Sequence, residues 1–175
     1  MESIEHARRD DLAALRDLYN QSLATSHANF DTRPTTLEQR ATWLDGFAAT
    51  GPHQLLVARD NDRHVLGYAS TSRYRDHEAF RHTVEVSVSL REDCRGQGIG
   101  TALYEALFER IATEPVHVAL AGIALPNEAS IALHRKLGFT TVGTFQEYAV
   151  KNGRYISSIW MQRLCERENW APATR

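Results

Sequence analysis

The chain has 175 residues, of which 42% are hydrophobic and 24% charged, enough for one domain with a sizeable core. Its net charge of −2 and its scattered basic residues argue against a nucleic-acid partner, and no apolar run approaches the roughly 18 residues of a membrane span. The first residues lack the basic-then-apolar pattern of a signal peptide, so a cytoplasmic location is expected.

Hydrophobic periodicity and turn residues predict eleven elements in the order β-α-α-β-β-β-α-β-α-β-β. In chain order they cover residues 4–7, 10–23, 35–47, 53–59, 65–74, 83–90, 99–111, 116–123, 128–137, 142–150 and 155–164. Asp10 is the expected N-cap of the first helix, and a capping box of Thr35 and Glu38 is expected to start the second. With no repeat or interdomain linker, we expect a single domain over 1–165 and a frayed tail at 166–175.

The sixth predicted element, the strand at 83–90, alternates strictly between two faces. Its apolar face carries Val84, Val86, Val88 and Leu90. Glu85 lies on the opposite face together with two serines. It is the only acidic residue of the strand, which makes it a candidate general base. A carboxylate that merely faces solvent is the alternative, and the alternation by itself does not separate the two.

Between this strand and the next predicted helix lies a glycine-rich turn, Cys94-Arg95-Gly96-Gln97-Gly98-Ile99-Gly100-Thr101. Glycines allow close approach of a ligand, and the first amides of a helix favour an anion such as a phosphate. A Walker A loop is excluded because the turn has no lysine, and a dinucleotide fingerprint requires a small residue where Leu103 stands. The remaining pattern, R/Q-x-x-G-x-G/A, matches Arg95, Gly98 and Gly100, although a turn without a ligand stays an alternative.

The histidines and cysteines of the chain predict neither a metal site nor a disulfide. His77 and His82 are spaced i, i+5, so their rings would not share a helical face, and no metal site is expected. Cys94 and Cys165 lie far apart and form no C-x-x-C pair, which fits a reducing compartment. For Cys94, an incidental loop residue is favoured over a mildly activated thiol.

The glycine-rich turn resembles the pyrophosphate-binding signature of the GNAT superfamily of N-acetyltransferases. Longer stretches resemble one group within it, the phosphinothricin and methionine sulfone acetyltransferases, at residues 80–85, 121–130, 133–139 and 151–154. The order of predicted elements also agrees with the GNAT fold over nearly the whole chain. The resemblance implies an α/β fold of the mixed-sheet (α+β) kind, the GNAT acyl-CoA N-acyltransferase fold, whose sheet splays apart between strands 4 and 5, here 83–90 and 116–123.

The same resemblance implies acetyl-CoA as co-substrate, held between the splayed strands and over the glycine-rich turn. Backbone groups of the strand would pair with the pantetheine amides, and amides of the turn would bind the pyrophosphate. Asn127 fits the position that contacts the cofactor arm, and a helix N-cap before Glu128 is a compatible alternative. The expected cofactor-binding residues are Val88, Ser89, Leu90, Arg95, Gly96, Gln97, Gly98, Ile99, Gly100, Thr101 and Asn127.

Two catalytic residues are also implied by the resemblance. Glu85 would be the base that takes a proton from an ammonium nucleophile, and burial beside the cofactor would raise its pKa. His134, where many GNAT members have tyrosine, would be the acid that protonates the leaving thiolate. A histidine on the helix surface is the alternative for that position. The amine would attack the thioester directly in a ternary complex.

The implied acceptor is the α-amine of a small amino acid or analogue of the phosphinothricin, methionine sulfoximine or methionine sulfone type. The expected substrate-binding residues are Phe30, Tyr74, Arg75, Asp76, Arg81 and Glu85. Arg75 and Arg81 are candidates to bind the α-carboxylate or the γ group, and surface arginines are the alternative. The chain departs from the group at Ser89, where an aromatic residue is usual, and at 155–157, where Trp-x-Asp is usual.

Three alternatives to this function stay open. The first two are GNAT enzymes that acetylate a polyamine or a protein N-terminus, and the third is a non-catalytic acyl-CoA-binding module. The joint presence of Glu85 and His134 argues against the module. The resemblance also implies a homodimer whose C-terminal strands approach the partner, with no nucleic-acid or membrane partner.

Overall fold

A computed structural model describes residues 1, 3–25 and 30–165 of the chain. It contains the eleven predicted elements in the predicted order, with three short 3-10 turns between them. The elements are β1 (Ser3–His6), α1 (Leu12–Thr25), α2 (Leu37–Leu44), β2 (Leu55–Arg59), β3 (Val65–Arg73), β4 (Thr83–Leu90), α3 (Ile99–Ile111), β5 (Val118–Ala124), α4 (Glu128–Lys136), β6 (Thr140–Lys151) and β7 (Arg154–Leu164).

The seven strands form one mixed sheet in the order β1-β2-β3-β4-β5-β7-β6. Every neighbouring pair is antiparallel except β4 and β5, which run parallel. The parallel ladder is short, because it extends only from the pair Thr83–Val118 to the pair Glu85–Leu120. Beyond that point β4 stays paired with β3 and β5 with β7, so the sheet opens along its middle. This confirms the fold expected from the resemblance, including the splay between strands 4 and 5.

Helices cover both faces of the sheet. On one face, the apolar stripe of α3 packs into the larger core around Leu103, Leu107 and Val84. On the other face, α1 and α2 pack on β2 and β3 in a smaller core that includes Leu15 and Tyr68. Cross-strand partners project on the same side of a sheet. The pairings of Tyr68, Ser70 and Ser72 with Ser89, Ser87 and Glu85 therefore place the polar side of β4 on the α1–α2 face.

The predicted N-cap of α1 was wrong. Asp11, rather than Asp10, makes the capping contact, because its carboxylate accepts a hydrogen bond from the backbone N–H of Arg8 at 2.8 Å. The same carboxylate accepts a second hydrogen bond from Nη2 of Arg59 at 2.6 Å and is buried. A long-range partner on β2 thus selects between two adjacent aspartates that look equivalent in the sequence.

The capping box of α2 lies one residue later than predicted. Thr36 accepts from the backbone N–H of Gln39 at 3.2 Å, and the Gln39 side chain accepts from the backbone N–H of Thr36 at 2.9 Å. Thr35 instead exchanges two hydrogen bonds with the side chain of Asn20 on α1. Because Asn20 holds the Thr35 backbone outside the helix, the cap moves from the predicted pair to Thr36 and Gln39.

At the C-terminal end, β6 and β7 form a long hairpin. Its turn residues Asn152 and Gly153 both have positive φ, as the asparagine-glycine sequence predicts. Most of β6 is exposed along the edge of the sheet. The predicted tail at 166–175 lies outside the described residues. Within the described ranges, none of the helices has the length and apolarity needed to cross a membrane.

Candidate active site

A cavity of about 1070 Å³ opens where β4 and β5 separate. It extends from the glycine-rich turn, along β4 and the start of α4, to α1. Eleven of the predicted site residues line it: Phe30, Glu85, Val88, Ser89, Leu90, Arg95, Gly96, Gly98, Gly100, Thr101 and Asn127. The sheet opening therefore brings together residues that are almost 100 positions apart in the chain.

The glycine-rich turn forms the start of α3. Gly98 is the N-cap residue with φ +81°, in the left-handed region, and Gly96 has φ +75°. A Cβ atom at either position would meet no atom of the described residues within 4 Å, so both glycines border open space. The first amides of a 13-residue helix then point towards that space, which is an arrangement suited to a pyrophosphate.

Two members of the predicted turn do not line the cavity in the described part of the chain. The Gln97 side chain donates to the backbone carbonyl of Asp93 at 2.8 Å and so supports the turn from outside. Ile99 is 4% exposed and belongs to the core under α3, as does the fully buried Leu103. A dinucleotide fingerprint needs a small residue at position 103, whereas Leu103 is a large side chain packed in the core.

The edge of β4 that faces the opening is suited to hold an extended ligand. β4 is paired with β3 from Val84 to Leu90, whereas its ladder with β5 ends at Glu85. The backbone beyond Glu85 therefore presents unpaired groups of the kind that add a further strand. Val88, Ser89 and Leu90 lie on this stretch, and Asn127 caps α4 across the gap by accepting from the N–H of Ser130 at 3.2 Å. The capping interpretation of Asn127 is confirmed.

Glu85 lies at the point where the two strands part. Its side chain is half-buried and lines the cavity, so it is not the solvent-facing carboxylate of the alternative interpretation. Burial raises the pKa of Glu85 above its usual value. A carboxylate whose pKa is raised in this way accepts a proton more readily than an exposed one.

His134 lies behind the cavity wall rather than on it. The ring is 3% exposed, which rules out the helix-surface alternative. Its Nδ1 is 2.7 Å from the backbone carbonyl of Ser130, so this nitrogen carries a proton and donates it. Its Nε2 is 3.2 Å from the hydroxyl of Tyr104 and accepts from it when the ring is neutral. Burial lowers the pKa of His134, an effect that the Ser130 carbonyl partly offsets.

Tyr104 on α3 is the hydrogen-bond partner of this histidine, and the sequence analysis missed it. The ring is fully buried on α3 and contacts His134 edge-on at 5.3 Å between ring centres. Burial, together with the nearby Glu85 carboxylate, raises the pKa of Tyr104 well above its usual value. The sequence did contain a signal for this contact. Tyr104 is a phenol on the otherwise apolar stripe of α3, and a buried hydroxyl needs a hydrogen-bond partner.

The predicted substrate loop lies beside the cavity without lining it, within the residues described. Tyr74 contacts Trp160 at 6.0 Å between ring centres, and Trp160 does line the cavity. Arg75 stacks over Tyr74 at 5.1 Å. The remaining two residues form exposed local ion pairs, Asp76 with Arg73 and Arg81 with Glu78. Their part in substrate binding stays a prediction.

Several further cavity residues come from elements that carried no motif. They are mainly aromatic, and include Tyr19, Tyr68, Tyr148 and Trp160. Gly122 on β5 allows Trp160 to lie close, because a Cβ atom there would be 3.0 Å from the indole ring. A glycine inside an apolar strand was the available sequence signal for this close approach.

Cys94 is not an activated thiol. It is buried, and this burial, reinforced by the neighbouring Asp93, raises the pKa of its thiol. The thiolate that a nucleophilic cysteine requires is therefore disfavoured. The interpretation of Cys94 as an incidental loop residue agrees with this environment.

Comparison with known proteins identifies the family of the chain. The model of the acetyltransferase (GNAT) domain family matches residues 4–160. The chain belongs to this family. Phosphinothricin N-acetyltransferase of Streptomyces coelicolor is 44% identical over 155 residues, which cover 88% of this chain and 91% of the relative. The L-methionine sulfoximine/L-methionine sulfone acetyltransferase of Pseudomonas aeruginosa is 39% identical over 170 residues, covering 97% and 98%.

Solved structures of GNAT proteins share the fold. The Salmonella typhimurium acetyltransferase yncA with acetyl-CoA has a TM-score of 0.90 at 31% identity and covers 98% of both chains. Ribosomal-protein-alanine N-acetyltransferase of Brucella melitensis has a TM-score of 0.86 at 38% identity, covering 93% of this chain and 99% of that one. This GNAT protein is an N-acetyltransferase that uses acetyl-CoA, and the open glycine-rich turn and the unpaired edge of β4 fit that co-substrate.

Proposed function

We propose that this GNAT enzyme acetylates the α-amine of a small amino acid or analogue of the phosphinothricin, methionine sulfoximine or methionine sulfone type. The observation that carries the proposal is the half-buried Glu85 carboxylate, which lies in the cavity where β4 leaves β5. The names of the two relatives support the acceptor class. Phe30 in the cavity, and the neighbouring loop with Tyr74, Arg75, Asp76 and Arg81, would contact the acceptor.

The proposed reaction is a direct transfer in a ternary complex. An amine that arrives as an ammonium cannot attack, so Glu85 first takes its proton, directly or through a water molecule. The amine nitrogen then bonds to the thioester carbonyl carbon, the carbon–sulfur bond breaks, and the thiolate takes a proton. No acetyl-enzyme forms, because the buried Cys94 thiol is disfavoured as a nucleophile.

We further propose that His134 supplies a proton towards the leaving thiolate through its neighbours. Its lowered pKa makes the neutral ring the resting form, so it has no spare proton until one arrives. The Tyr104 hydroxyl, which donates to Nε2 and lies close enough to Glu85 for that carboxylate to raise its pKa, is the proposed proton donor to the ring. The Ser130 hydroxyl lies 3.4 Å from Nδ1 of His134, and Ser130 lines the cavity. Ser130 is therefore the neighbour through which the proton would leave the ring towards the thiolate.

Tyr104→Phe and His134→Phe test this network. Each variant should lower kcat by up to about two orders of magnitude and leave acetyl-CoA binding nearly intact, since the network acts on proton transfer and not on cofactor affinity. Tyr104→Phe removes a single hydroxyl and keeps the ring packing. Steady-state rates and calorimetric titration with acetyl-CoA measure the two quantities. Wild-type kcat in Tyr104→Phe would reduce the network to a structural role.

An acceptor panel tests the proposed substrate class. We expect acetyl-CoA-dependent thiol release with methionine sulfone and phosphinothricin, and much slower release with spermidine or with a peptide that begins with alanine. The peptide arm addresses the second candidate, because the similar Brucella melitensis structure is named for acetylation of a ribosomal-protein alanine. Release with the peptide or polyamine alone would move the function to those classes. Acetyl-CoA binding without release for any amine would favour a binding module.

We also propose that the chain forms a homodimer through the β6–β7 hairpin. Large apolar side chains are more than half exposed on these strands: Val142, Phe145, Val150, Tyr155 and Leu164. An exposed apolar surface of this kind favours association. A monomer mass in sedimentation at micromolar concentration would contradict the proposal. The cytoplasmic location stays a prediction.

A further inference from the structure

Trp160 on β7 lies between two glycines of the sheet. It is paired with Gly122 on β5 and with Gly143 on β6. A Cβ atom at Gly122 would lie 3.0, 3.1 and 3.3 Å from three atoms of the indole, whereas a Cβ atom at Gly143 would meet nothing within 4 Å among the described residues. The indole therefore leans over β5, towards the opening between β5 and β4, and away from β6.

This ring is held in place and offers the cavity an apolar surface. The backbone of Gly122 lies directly against it, and the ring of Tyr74 contacts it edge-on at 6.0 Å between ring centres. Tyr74 is itself packed edge-on against Phe80 at 5.5 Å. Trp160 is half-buried and lines the cavity, but its one polar side-chain atom, Nε1, is buried. The part of the indole that borders the cavity is therefore carbon.

The indole lies within the reach of one amino-acid side chain from Glu85. Leu120 on β5 is the partner of Glu85 in the parallel ladder, and Gly122 lies two positions further along β5. Two positions along a strand correspond to about 7 Å and return to the same face of the sheet. Glu85 and the indole over Gly122 thus share one face. An acceptor whose amine lies at Glu85 can touch the indole with the end of its side chain.

We propose that Trp160 is a specificity-determining residue whose indole forms the apolar end of the pocket for the acceptor side chain. The inference rests on the proposed function. Phosphinothricin and methionine sulfone both end in a methyl group beyond their tetrahedral phosphorus or sulfur atom, and this methyl group packs on the indole. The contact removes apolar surface from water on both sides. Because Gly122 and Tyr74 hold the ring, a longer side chain meets it as an obstacle.

The first test compares methionine sulfone with ethionine sulfone, which is longer by one methylene group at the end of its side chain and otherwise identical. A methylene group in an apolar pocket changes kcat/KM by roughly tenfold to two-hundredfold, so the wild type should prefer methionine sulfone by at least about tenfold. Trp160→Phe shortens the wall and should remove most of this preference. Trp43→Phe makes the same change on α2, outside the cavity lining, and should keep the preference.

The second test moves the wall from behind. In Gly122→Ala the added methyl group meets the indole and should push it into the pocket, lowering kcat/KM for methionine sulfone about tenfold. The double variant Gly122→Ala/Trp160→Phe should recover most of this loss, because the smaller ring leaves room for the methyl group. Gly143→Ala adds a methyl group on the other side of Trp160, where the space is open, and should keep wild-type kinetics.

Three results would overturn the proposal. One is a wild type that uses both sulfones equally well, which decides the matter even if the variants do not fold. The others are an unchanged preference in Trp160→Phe and a loss in Gly122→Ala that Trp160→Phe does not recover. Failure of the wild type with methionine sulfone and phosphinothricin alike would contradict the proposed function, and this inference with it. Stabilisation of each variant by acetyl-CoA shows that the fold and the cofactor site are intact.

Discussion

Replacing Gly98 with valine should abolish the stabilisation of the fold by acetyl-CoA. The glycine borders open cavity space at the N-cap of α3, and a branched side chain there would occupy the volume that the pyrophosphate needs. A ligand that binds only the native state, present at a hundred times its Kd, adds about 2.7 kcal/mol to the free energy of unfolding. Thermal denaturation with and without acetyl-CoA measures this difference.

The valine also strains the backbone, because Gly98 has φ +81°. Gly138→Val is the matched control: Gly138 has φ +84° with similar open surroundings, but it lies after α4 and outside the cavity lining. Both variants should melt below wild type, and only Gly138→Val should still be stabilised by acetyl-CoA. A full cofactor-induced shift in Gly98→Val would remove the glycine-rich turn from the cofactor site.

Replacing Glu85 with glutamine should lower kcat/KM by about two to four orders of magnitude, the usual contribution of a general base. Glutamine preserves the shape of the side chain and removes only the proton acceptor. The difference in kcat/KM between the variant and the wild type should be largest at pH values between the raised pKa of Glu85 and the pKa of the acceptor amine. Below that window the wild-type carboxylate is itself protonated, and above it the amine no longer needs a base. Rates from mildly acidic to alkaline pH measure the gap.

Two controls accompany this variant. Glu109→Gln, at an exposed position on α3, should keep wild-type kinetics. Because the folded state raises the pKa of Glu85, it disfavours the charged carboxylate, and this cost grows as pH rises through the raised pKa. Glu85→Gln should therefore melt no lower than wild type at neutral pH. A raised KM with unchanged kcat would mean that Glu85 only balances the charge of the acceptor ammonium.

Local patterns predicted the parts of this molecule that depend on local chemistry. The strict alternation of β4 predicted its bounds and its polar face, and the glycines predicted the loop that starts α3. Both features follow from backbone rules that act within a few residues. The parts of the candidate site that lie on β4 and on the glycine-rich turn were therefore predictable from local sequence patterns.

The remaining features depend on partners that are distant in the chain. Asp10 and Asp11 look alike until Arg59 on β2 selects one of them. The amphipathic pattern of α4 does not reveal that His134 turns inward to Tyr104. In the same way, nothing within α2 indicates that Arg40 is enclosed by rings from α1 and β3. The partners of these side chains are set by tertiary packing between elements that are distant in the chain. The local pattern of a single sequence does not show which elements will pack together.

The most direct test of the central claim is to follow the acetyl group itself. The purified enzyme is incubated with acetyl-CoA alone and then with methionine sulfone, and intact-mass analysis of the protein is combined with analysis of the small-molecule product. Direct transfer in this cavity predicts an unmodified protein at every time and methionine sulfone acetylated on its α-nitrogen, formed in step with free coenzyme A. An acetylated protein that loses its acetyl group when the acceptor is added would contradict this account.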